Sequence, residues 1–372
     1  MSPSNSILRL EGPRLGRYEL LEHLATGGMA HIFLARDCET QQLVVIKKAL
    51  QQVVRTPTLR RMFADEVRIA SMLVHPNIVQ VLNSEDVQNQ SYYVMEYLDG
   101  IDALELINHE VERDRALPIA HAVNIAVAVA DALEAAHRAI GPDGNPLHVV
   151  HRDVSPSNIH VGADGRVCLL DFGVARAELD ERVSTGIGVI KGKLAYMAPE
   201  HLSGVADWRS DIYSLGVVLY EMSLGWQLFP TEGRSLQAIR ERHVIPPSEL
   251  DADYPRALET IVLRALSPDP EFRFQSAAEF ADALRHFAAA EGLDLSSDCL
   301  AAFVSRAMGR AESAPFDEPE GDRFAEHEEL QVFERPETVR GYAPGLAPVS
   351  SAPIPNRWPD RCRVDTEPGT LR

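Results

Sequence analysis

The spacing of apolar residues changes near residue 100. Before that point, short runs rich in β-branched and aromatic residues alternate with Gly, Asn and Asp, which predicts an antiparallel sheet. Residues 58–74 interrupt the sheet with apolar residues three and four apart, which predicts one helix packed on it. After residue 100 the period is helical, apart from a predicted hairpin at 159–161 and 167–170. The predicted helices there are 119–139, 211–224, 255–266 and 276–290. The chain is therefore predicted to be α+β, with a small sheet lobe and a larger, mostly helical lobe.

Composition divides the chain into further segments. The predicted segments are an N-terminal leader at 1–17, a folded domain at 18–290 with lobes at 18–98 and 99–290, an accessory helix at 291–310 and a tail at 311–372. The tail contains thirteen acidic residues, seven Arg, no Lys and many Pro. Such a sequence cannot make a packed core, so the tail is predicted to be disordered.

The net charge argues against several classes of function. With 36 Lys and Arg against 55 Asp and Glu, the formal charge is -19, which would repel a nucleic-acid backbone. The most apolar stretch, 122–136, is short for a bilayer and carries Asp131 and Glu134, and the first residues lack the features of a signal peptide. The four cysteines form no CxxC pair. We therefore expect no nucleic-acid partner, no membrane span and a cytoplasmic location.

Three short sequence motifs in the second half of the chain indicate its chemistry. They are HRDVSPSN at 151–158, DFG at 171–173 and APE at 198–200, in that order. Upstream, VVIK ends at Lys47 and an acidic residue, Glu66, lies inside the predicted helix. Together these motifs resemble the eukaryotic-type protein kinase family, in particular its bacterial serine/threonine branch. The resemblance covers residues 18–290 and implies a bilobed kinase fold with ATP bound between the lobes.

The resemblance assigns the phosphate-handling residues. Asp171 would hold the Mg²⁺ that bridges the phosphates, and Asn158 would contribute to a second ion. Asp153 would orient the substrate hydroxyl and accept its proton. Lys47 would bind the α and β phosphates while pairing with Glu66, so that movement of the helix could switch the site. Taken alone, Lys47 would be an ordinary lysine at the end of a strand.

The same resemblance places a glycine-rich lid over the nucleotide. The family pattern GxGxxGxV reads here Ala25, Gly27, Ala30 and Ile32, so two of three glycines are alanine. Gly27 and Gly28 still allow backbone N–H groups to approach phosphate closely. We expect a working but stiffer lid, although the loop alone would be read as a β-turn.

The string VMEYLDG matches the adenine site of the family. It implies Met95 as the residue at the back of the pocket, backbone hydrogen bonds from Glu96 and Leu98, and Asp102 on a ribose hydroxyl. Three further residues would enclose the base, with Ile32 and Val45 above it and His160 below. The family usually has leucine at the position of His160, which could instead be a simple hairpin histidine, so altered nucleotide affinity stays open.

One departure from the family moves a positive charge. The lysine usual two residues after the catalytic Asp is Ser155, whereas Lys193 stands where a threonine usually precedes the APE box. One hypothesis is that Lys193 reaches back toward Asp153 and the γ-phosphate and replaces the missing cation. The alternative is a solvent-facing loop lysine. The departure also leaves tyrosine acceptors open as a minor alternative to Ser and Thr.

Further positions suggest regulation and bracing. Arg152, beside the catalytic Asp, suggests control by phosphorylation at Ser184 or Thr185, although both hydroxyls could be ordinary loop residues. By resemblance, Asp211 would support the catalytic loop from below. Glu200 and Arg273 would form a buried ion pair.

The motifs together predict ATP-dependent phosphoryl transfer to Ser or Thr of protein substrates, with Mg²⁺ (or Mn²⁺ in its place) as the cofactor. One alternative is a catalytically impaired pseudokinase, an ATP-binding scaffold that docks a partner through its tail. A small-molecule kinase of similar fold is disfavoured by the APE string and the long segment that precedes it. The implied partners are ATP, protein substrates and, for the tail, a docking protein.

Overall fold

The computed structural model describes residues 13–87, 90–172, 193–201, 206–229 and 244–309. The predicted disordered tail at 311–372 lies outside these residues. So does most of the predicted leader.

The first lobe is built on a six-stranded antiparallel sheet in the order β1-β2-β3-β4-β6-β5. Its strands are β1 Arg14–Leu15, β2 Tyr18–Thr26, β3 Ala30–Asp37, β4 Leu43–Ala49, β5 Val81–Val87 and β6 Gln90–Glu96. Strand β4 is almost entirely buried, in agreement with its continuous apolar run. Strand β1 lies inside the predicted leader and pairs with β2, so the end of that segment belongs to the sheet.

Two helices follow β4 in this lobe. They are α1, Gln51–Arg55, and α2, Pro57–Met72. Helix α2 begins at a proline, which is favoured at the first helical position because its missing N–H would be unbonded there anyway. Its buried residues include Phe63 and Glu66, so the helix turns one carboxylate inward together with its apolar stripe.

The second lobe is mostly helical. Its helices are α3 Ala103–Val111, α4 Ile119–His137, α5 Trp208–Leu224, α6 Pro247–Leu250, α7 Arg256–Ala265, α8 Ala277–Ala290 and α9 Ser297–Ala307. A three-stranded antiparallel sheet, β7 Gly100–Asp102, β8 Ile159–Gly162 and β9 Val167–Leu169, lies next to the first lobe. The α+β prediction with a small sheet lobe and a helical lobe is confirmed.

Helices α4 and α5 form the centre of the second lobe. Residues from both helices are fully buried in one large apolar cluster that also takes in α8 and α9. Helix α4 ends two residues before the predicted end at 139, and at 19 residues it is long and apolar enough to cross a membrane by length and composition. Because most of it is packed inside the lobe, α4 has the character of a core helix. No other helix among the described residues passes that test.

Two glycines allow close contacts around the small sheet. A Cβ on Gly100 would lie 2.2 Å from the carbonyl oxygen of Val161 on the neighbouring strand. Gly165, in the β8–β9 turn, has φ +79°, and a Cβ there would lie 1.9 Å from the carbonyl oxygen of Ser297 at the start of α9. Only glycine fits either position, so α9 docks on the hairpin through a bare backbone contact.

Strand β9 joins the two lobes. The backbone N–H of Leu169 donates to the carbonyl oxygen of Asn77 at 2.8 Å, and that of Val79 donates to the carbonyl oxygen of Leu169 at 3.2 Å. The Asn77 amide adds a bond of 2.8 Å to the carbonyl oxygen of Val167. The segment after α2 is therefore fixed to the strand that leads into the DFG motif.

Candidate active site

Lys47 lies between two carboxylates at the junction of the lobes. Its Nζ is 2.7 Å from Oε1 of Glu66 on α2 and 2.9 Å from Oδ1 of Asp171. Burial alone would lower the pKa of Lys47, but the charges and hydrogen bonds of Asp171 and Glu66 outweigh it and raise the pKa above its ordinary value. The Tyr93 hydroxyl also donates to Glu66, at 2.8 Å. The amine is thus held ionised inside the cleft, and α2 is in the position that allows the pairing.

The backbone of the catalytic loop is held in an unusual conformation. Arg152 and Asp171 both have positive φ, 64° and 49°, where residues with a side chain are uncommon. Asp211, at the start of α5, accepts hydrogen bonds of 2.8 Å from the backbone N–H groups of His151 and Arg152. The buried Asp211 therefore braces the loop as the resemblance implied. Such strain persists only where the surroundings fix it.

The imidazole of His151 links the catalytic loop to the DFG motif. Its Nε2 lies 2.8 Å from the carbonyl oxygen of Leu170, and its ring packs on Phe172 with centroids 4.7 Å apart. Burial lowers the pKa of His151, although nearby carboxylates, first Asp211, oppose the shift. The ring is therefore neutral at pH 7 and positions Asp171 through its neighbours.

Asn158 connects the two acidic positions of the site. Its Nδ2 donates to the carbonyl oxygen of Asp153 at 2.7 Å and to Oδ2 of Asp153 at 2.9 Å. Its Oδ1 is buried and has no hydrogen-bond partner among the described residues. The backbone N–H of Leu170, the residue before Asp171, donates to the carbonyl oxygen of Asn158 at 2.9 Å. A free amide oxygen on a residue tied in this way to the DFG motif is a donor of the kind that Mg²⁺ accepts together with carboxylate and phosphate oxygens.

The protein residues alone would not make a complete metal site. No group of three or more His, Cys, Asp or Glu suited to a metal ion occurs in the described part of the chain. Mg²⁺ usually takes only one or two protein carboxylates and completes its shell with substrate phosphates and water. Asn158 and Asp171 therefore fit Mg²⁺ that arrives with a nucleotide.

The predicted adenine residues converge on one apolar wall. Ala25, Ile32, Val45, Met95 and Leu98 belong to a single buried cluster of the first lobe. The cluster also includes residues of the lid, the strand β4 and the DFG-preceding strand. The structure thus brings together the side chains predicted to enclose the base.

Glu96 has a role that sequence reasoning missed. Its carboxylate receives two hydrogen bonds from Arg166, of 2.7 and 2.8 Å, and one of 2.9 Å from the backbone N–H of Gln80. Arg166 also donates to the carbonyl oxygen of Pro76 at 2.8 Å. Burial would raise the pKa of Glu96, but these bonds lower it below the ordinary value. The side chain therefore ties the connection between the lobes to the β8–β9 turn.

Asp102 caps helix α3 at the edge of the cleft. Its side chain accepts from the backbone N–H of Glu105 at 2.8 Å, and Glu105 accepts in return from the backbone N–H of Asp102. Burial raises the pKa of Asp102 to about 6, against the lowering effect of backbone hydrogen bonds from Glu105 and Leu104. Burial, with the charge of Asp102, raises the pKa of Glu105 to about 7. The predicted ribose contact is thus also a helix cap.

His160 is fully buried in β8, opposite Cys168 of β9. Since directly paired residues share a face of the sheet, it lies on the side of Cys168, which belongs to the apolar wall of the cleft. Burial lowers the pKa of His160 to about 4, partly offset by Asp99 and the backbone of Leu98. The ring is therefore neutral at pH 7, like the leucine it replaces.

The backbone of the glycine-rich lid has an ordinary conformation at its two glycines. The N–H of Gly27 donates to the carbonyl oxygen of Ala30 at 2.7 Å, which closes the turn between β2 and β3. A Cβ on Gly28 would meet no atom within 4 Å. Neither glycine has positive φ. The folded protein therefore has room for a side chain at position 28. The predicted benefit of glycine there is that it lets a phosphate group approach the backbone closely.

The remaining predicted residues fall into two groups. Ser155 is buried, with its Oγ 3.3 Å from Oγ of Ser157, so no charge stands where the family has lysine. The backbone of Lys193 begins a short 3₁₀ turn, Lys193–Ala195. The side chain of Lys193, together with Ser184 and Thr185, lies outside the described residues. Their roles stay predictions.

The bracing pair lies below the site. Nη1 and Nη2 of Arg273 are 2.6 and 2.8 Å from the two carboxylate oxygens of Glu200. The Arg273 side chain is 0% exposed and also donates to three carbonyl oxygens. Ser210 donates to Glu200 at 2.7 Å. The APE string is thereby fixed to the base of the helical lobe.

This fold and this cleft define a protein of the bilobed, kinase-like class. Residues 18–301 match the family model described as "Protein kinase domain". The chain therefore belongs to the protein kinase family.

The relatives place it in the bacterial, eukaryotic-type branch of that family. The chain is 41% identical over 278 residues to "Tyrosine-protein kinase MasK" of Myxococcus xanthus, which covers 73% of this chain and 43% of that protein. It is 36% identical over 279 residues to "Serine/threonine-protein kinase PknB" of Mycobacterium leprae, covering 72% of this chain and 43% of that protein. The chain thus matches less than half the length of these relatives.

A solved structure supports the fold. The crystal structure of the PknI kinase domain of M. tuberculosis superposes with a TM-score of 0.58 at 27% identity. The match covers 75% of this chain and 98% of that one. The predicted kinase-like bilobed fold is confirmed.

Proposed function

We propose that this protein transfers the γ-phosphoryl group of ATP to Ser or Thr hydroxyls of protein substrates. The observation that carries the proposal is the position of Lys47, which is bonded at once to Glu66 and Asp171. This arrangement places one buried cation and the DFG carboxylate at the same point of the cleft. Phosphoryl transfer asks a protein mainly for such positioning and charge neutralisation.

Each residue of the cleft then has one task. Lys47 binds phosphate oxygens, and Asn158 Oδ1 with Asp171 holds Mg²⁺, which neutralises phosphate charge when bound. The hydrogen bond from Asn158 Nδ2 fixes the carboxylate of Asp153. The substrate oxygen forms a bond to the γ-phosphorus, the bond to the β–γ bridging oxygen breaks, and ADP leaves. The hydroxyl proton passes to Asp153.

The choice of acceptor is the finer part of the proposal. A relative named as a serine/threonine kinase supports Ser and Thr, whereas one named as a tyrosine kinase has the higher identity of the two. The uncharged Ser155 beside Asp153 removes the lysine that usually marks Ser/Thr kinases. Tyr is therefore the alternative acceptor.

Phosphoamino acid analysis tests the proposal. The full chain is incubated with γ-labelled ATP, Mg²⁺ and casein as acceptor, and the labelled protein is hydrolysed. Phosphoserine or phosphothreonine is the expected product. Phosphotyrosine alone would instead assign the chain to tyrosine kinases. If no label is incorporated although ATP binds, the chain is a nucleotide-binding scaffold.

A further inference from the structure

A cavity of about 510 Å³ lies on the helical lobe, away from the predicted nucleotide cleft. It is enclosed by the end of α3, the loop into α4 and the helix α9. Its lining includes three arginines, Arg113, Arg115 and Arg306, and one buried carboxylate, Glu110. We call this site the basic cavity.

The carboxylate that lines the basic cavity is already paired, which leaves one exposed guanidinium for an occupant. Glu110 is engaged within the cavity wall, where Arg115 Nε is 3.1 Å and His109 Nδ1 is 3.0 Å from its carboxylate oxygens. Arg113 donates to the carbonyl oxygen of His109 at 2.7 Å and has an exposed side chain. Because Arg115 and His109 already engage Glu110, the exposed guanidinium of Arg113 is the group that favours an anionic occupant.

The interior of the cavity combines an aromatic wall with a polar atom. His121 and Phe303 stack with ring centroids 4.4 Å apart. His121 is only 6% exposed, and its Nδ1 has no hydrogen-bond partner within the described part of the chain. The two stacked rings, which both line the cavity, therefore offer an occupant an apolar face. An occupant with an apolar group and neighbouring acidic groups would fit both features.

The chain supplies such a segment directly after α9. Arg306 and Ala307, the last turn of the helix, line the cavity, and Gly309 turns the chain with φ +69°. Residues 311–322 contain five acidic residues, no Lys and no Arg, and their only aromatic residue, Phe316, is followed by Asp317 and Glu318. Phe316 is nine residues beyond Ala307, a reach of about 30 Å when extended, which is ample for a return to the cavity.

We propose that the acidic segment 311–322 docks in the basic cavity of its own chain, with Phe316 against the aromatic wall and the adjacent carboxylates on the arginines. Tethering favours this occupant because a short link within one chain gives an effective concentration in the millimolar range. The acidic segment and the arginines of the cavity have complementary charges. In the segment, Phe316 is directly followed by Asp317 and Glu318, so one short stretch supplies both the aromatic ring and the carboxylates. This docking is independent of the transfer reaction.

Hydrogen exchange on the full chain tests the docking. Millisecond labelling followed by mass spectrometry is expected to show slowed exchange in residues 312–322. Arg113→Glu is expected to reduce that protection roughly two- to fivefold, the effect of an exposed ion pair. The matched control is Arg61→Glu, which changes the same charge at a side chain 84% exposed on α2. It is expected to leave the tail unchanged.

Two further variants separate docking from a general charge effect. Asp317→Asn combined with Glu318→Gln is expected to lower protection as much as Arg113→Glu, and Arg113→Glu combined with Asp317→Lys to restore part of it. Thermal melting checks that each variant is folded. Free exchange of residues 312–322 in the wild type, or equal protection in Arg113→Glu and wild type, would overturn the proposal. Protection that rises with protein concentration would assign the cavity to the tail of a second copy and overturn it equally.

Discussion

At the scale of single residues, the charge of Lys47 organises the cleft. One ammonium is shared by Glu66 and Asp171, and it is largely removed from water. Pairs of this kind behave differently from exposed ones such as Arg61 and Asp65, because removing one partner leaves a buried charge without compensation. The position of α2 is therefore energetically coupled to the DFG carboxylate through the shared ammonium of Lys47.

Asp102 gives a prediction for pH dependence. Since burial raises its pKa to about 6, the carboxylate becomes protonated as the pH falls from about 7 to about 5. A neutral carboxyl is a weaker acceptor for a ribose hydroxyl, so the KM for ATP is expected to rise over this interval. Steady-state kinetics across that range measures it. Asp102→Asn should have a higher KM at neutral pH and a flatter profile, whereas a constant wild-type KM would contradict the contact.

The roles of single residues could be predicted only where the residues belong to a recognisable sequence motif. The motifs around Asp153, Asn158 and Asp171 gave positions that the structure brings to one cleft. The double hydrogen bond between Glu96 and Arg166 could not be predicted, because the two residues are 70 positions apart and neither lies in a motif that requires the other. Pairing between distant polar residues depends on register, which the sequence does not show.

At the scale of elements, the ion pair of Glu200 and Arg273 gives a prediction for stability. Arg273→Ala is expected to lower the free energy of unfolding by about 3–5 kcal/mol, because Glu200 would remain partly buried without its cation. Chemical denaturation measures this. The matched control is Arg285→Ala, whose side chain is 43% exposed and whose loss should cost no more than about 1 kcal/mol. Similar losses in the two variants would contradict the bracing role.

Short elements were the part of the fold that sequence patterns missed. Strands β1 and β7 have two and three residues, too few to show an alternating pattern. Helix α3 was missed although a signal was present, since Asp102 and Glu105 form a capping box of the spacing that starts helices. The long helices and the main strands were predictable because their apolar periods extend over several turns or residues.

At the scale of the whole molecule, α9 completes the helical lobe. Its residues Leu300 and Val304 are fully buried in the main core, and its first turn meets the turn of the β8–β9 hairpin. The family model also extends to residue 301, inside this helix. The amphipathic pattern predicted a helix here, but it could not show which surface the helix covers.

The contact at Gly165 predicts how firmly α9 is held. Gly165→Ala is expected to destabilise the protein strongly, because the new Cβ would lie 1.9 Å from a backbone atom of Ser297. Gly144→Ala is the matched control, since Gly144 has a similar φ of +81° but no atom within 4 Å of a Cβ. The control should cost about 1–2 kcal/mol from backbone conformation alone. Equal melting temperatures of the two variants would refute the contact.

The most direct test of phosphoryl transfer in this cleft is the rate of Asp153→Asn. The substitution keeps the shape of the side chain and the hydrogen bond from Asn158 but removes the group that accepts the hydroxyl proton. We predict that the rate of phosphoryl transfer from ATP to casein falls roughly 10²- to 10⁴-fold, while the Kd for ATP is unchanged. A variant that transfers phosphate at the wild-type rate would contradict the assignment of Asp153 and, with it, the mechanism.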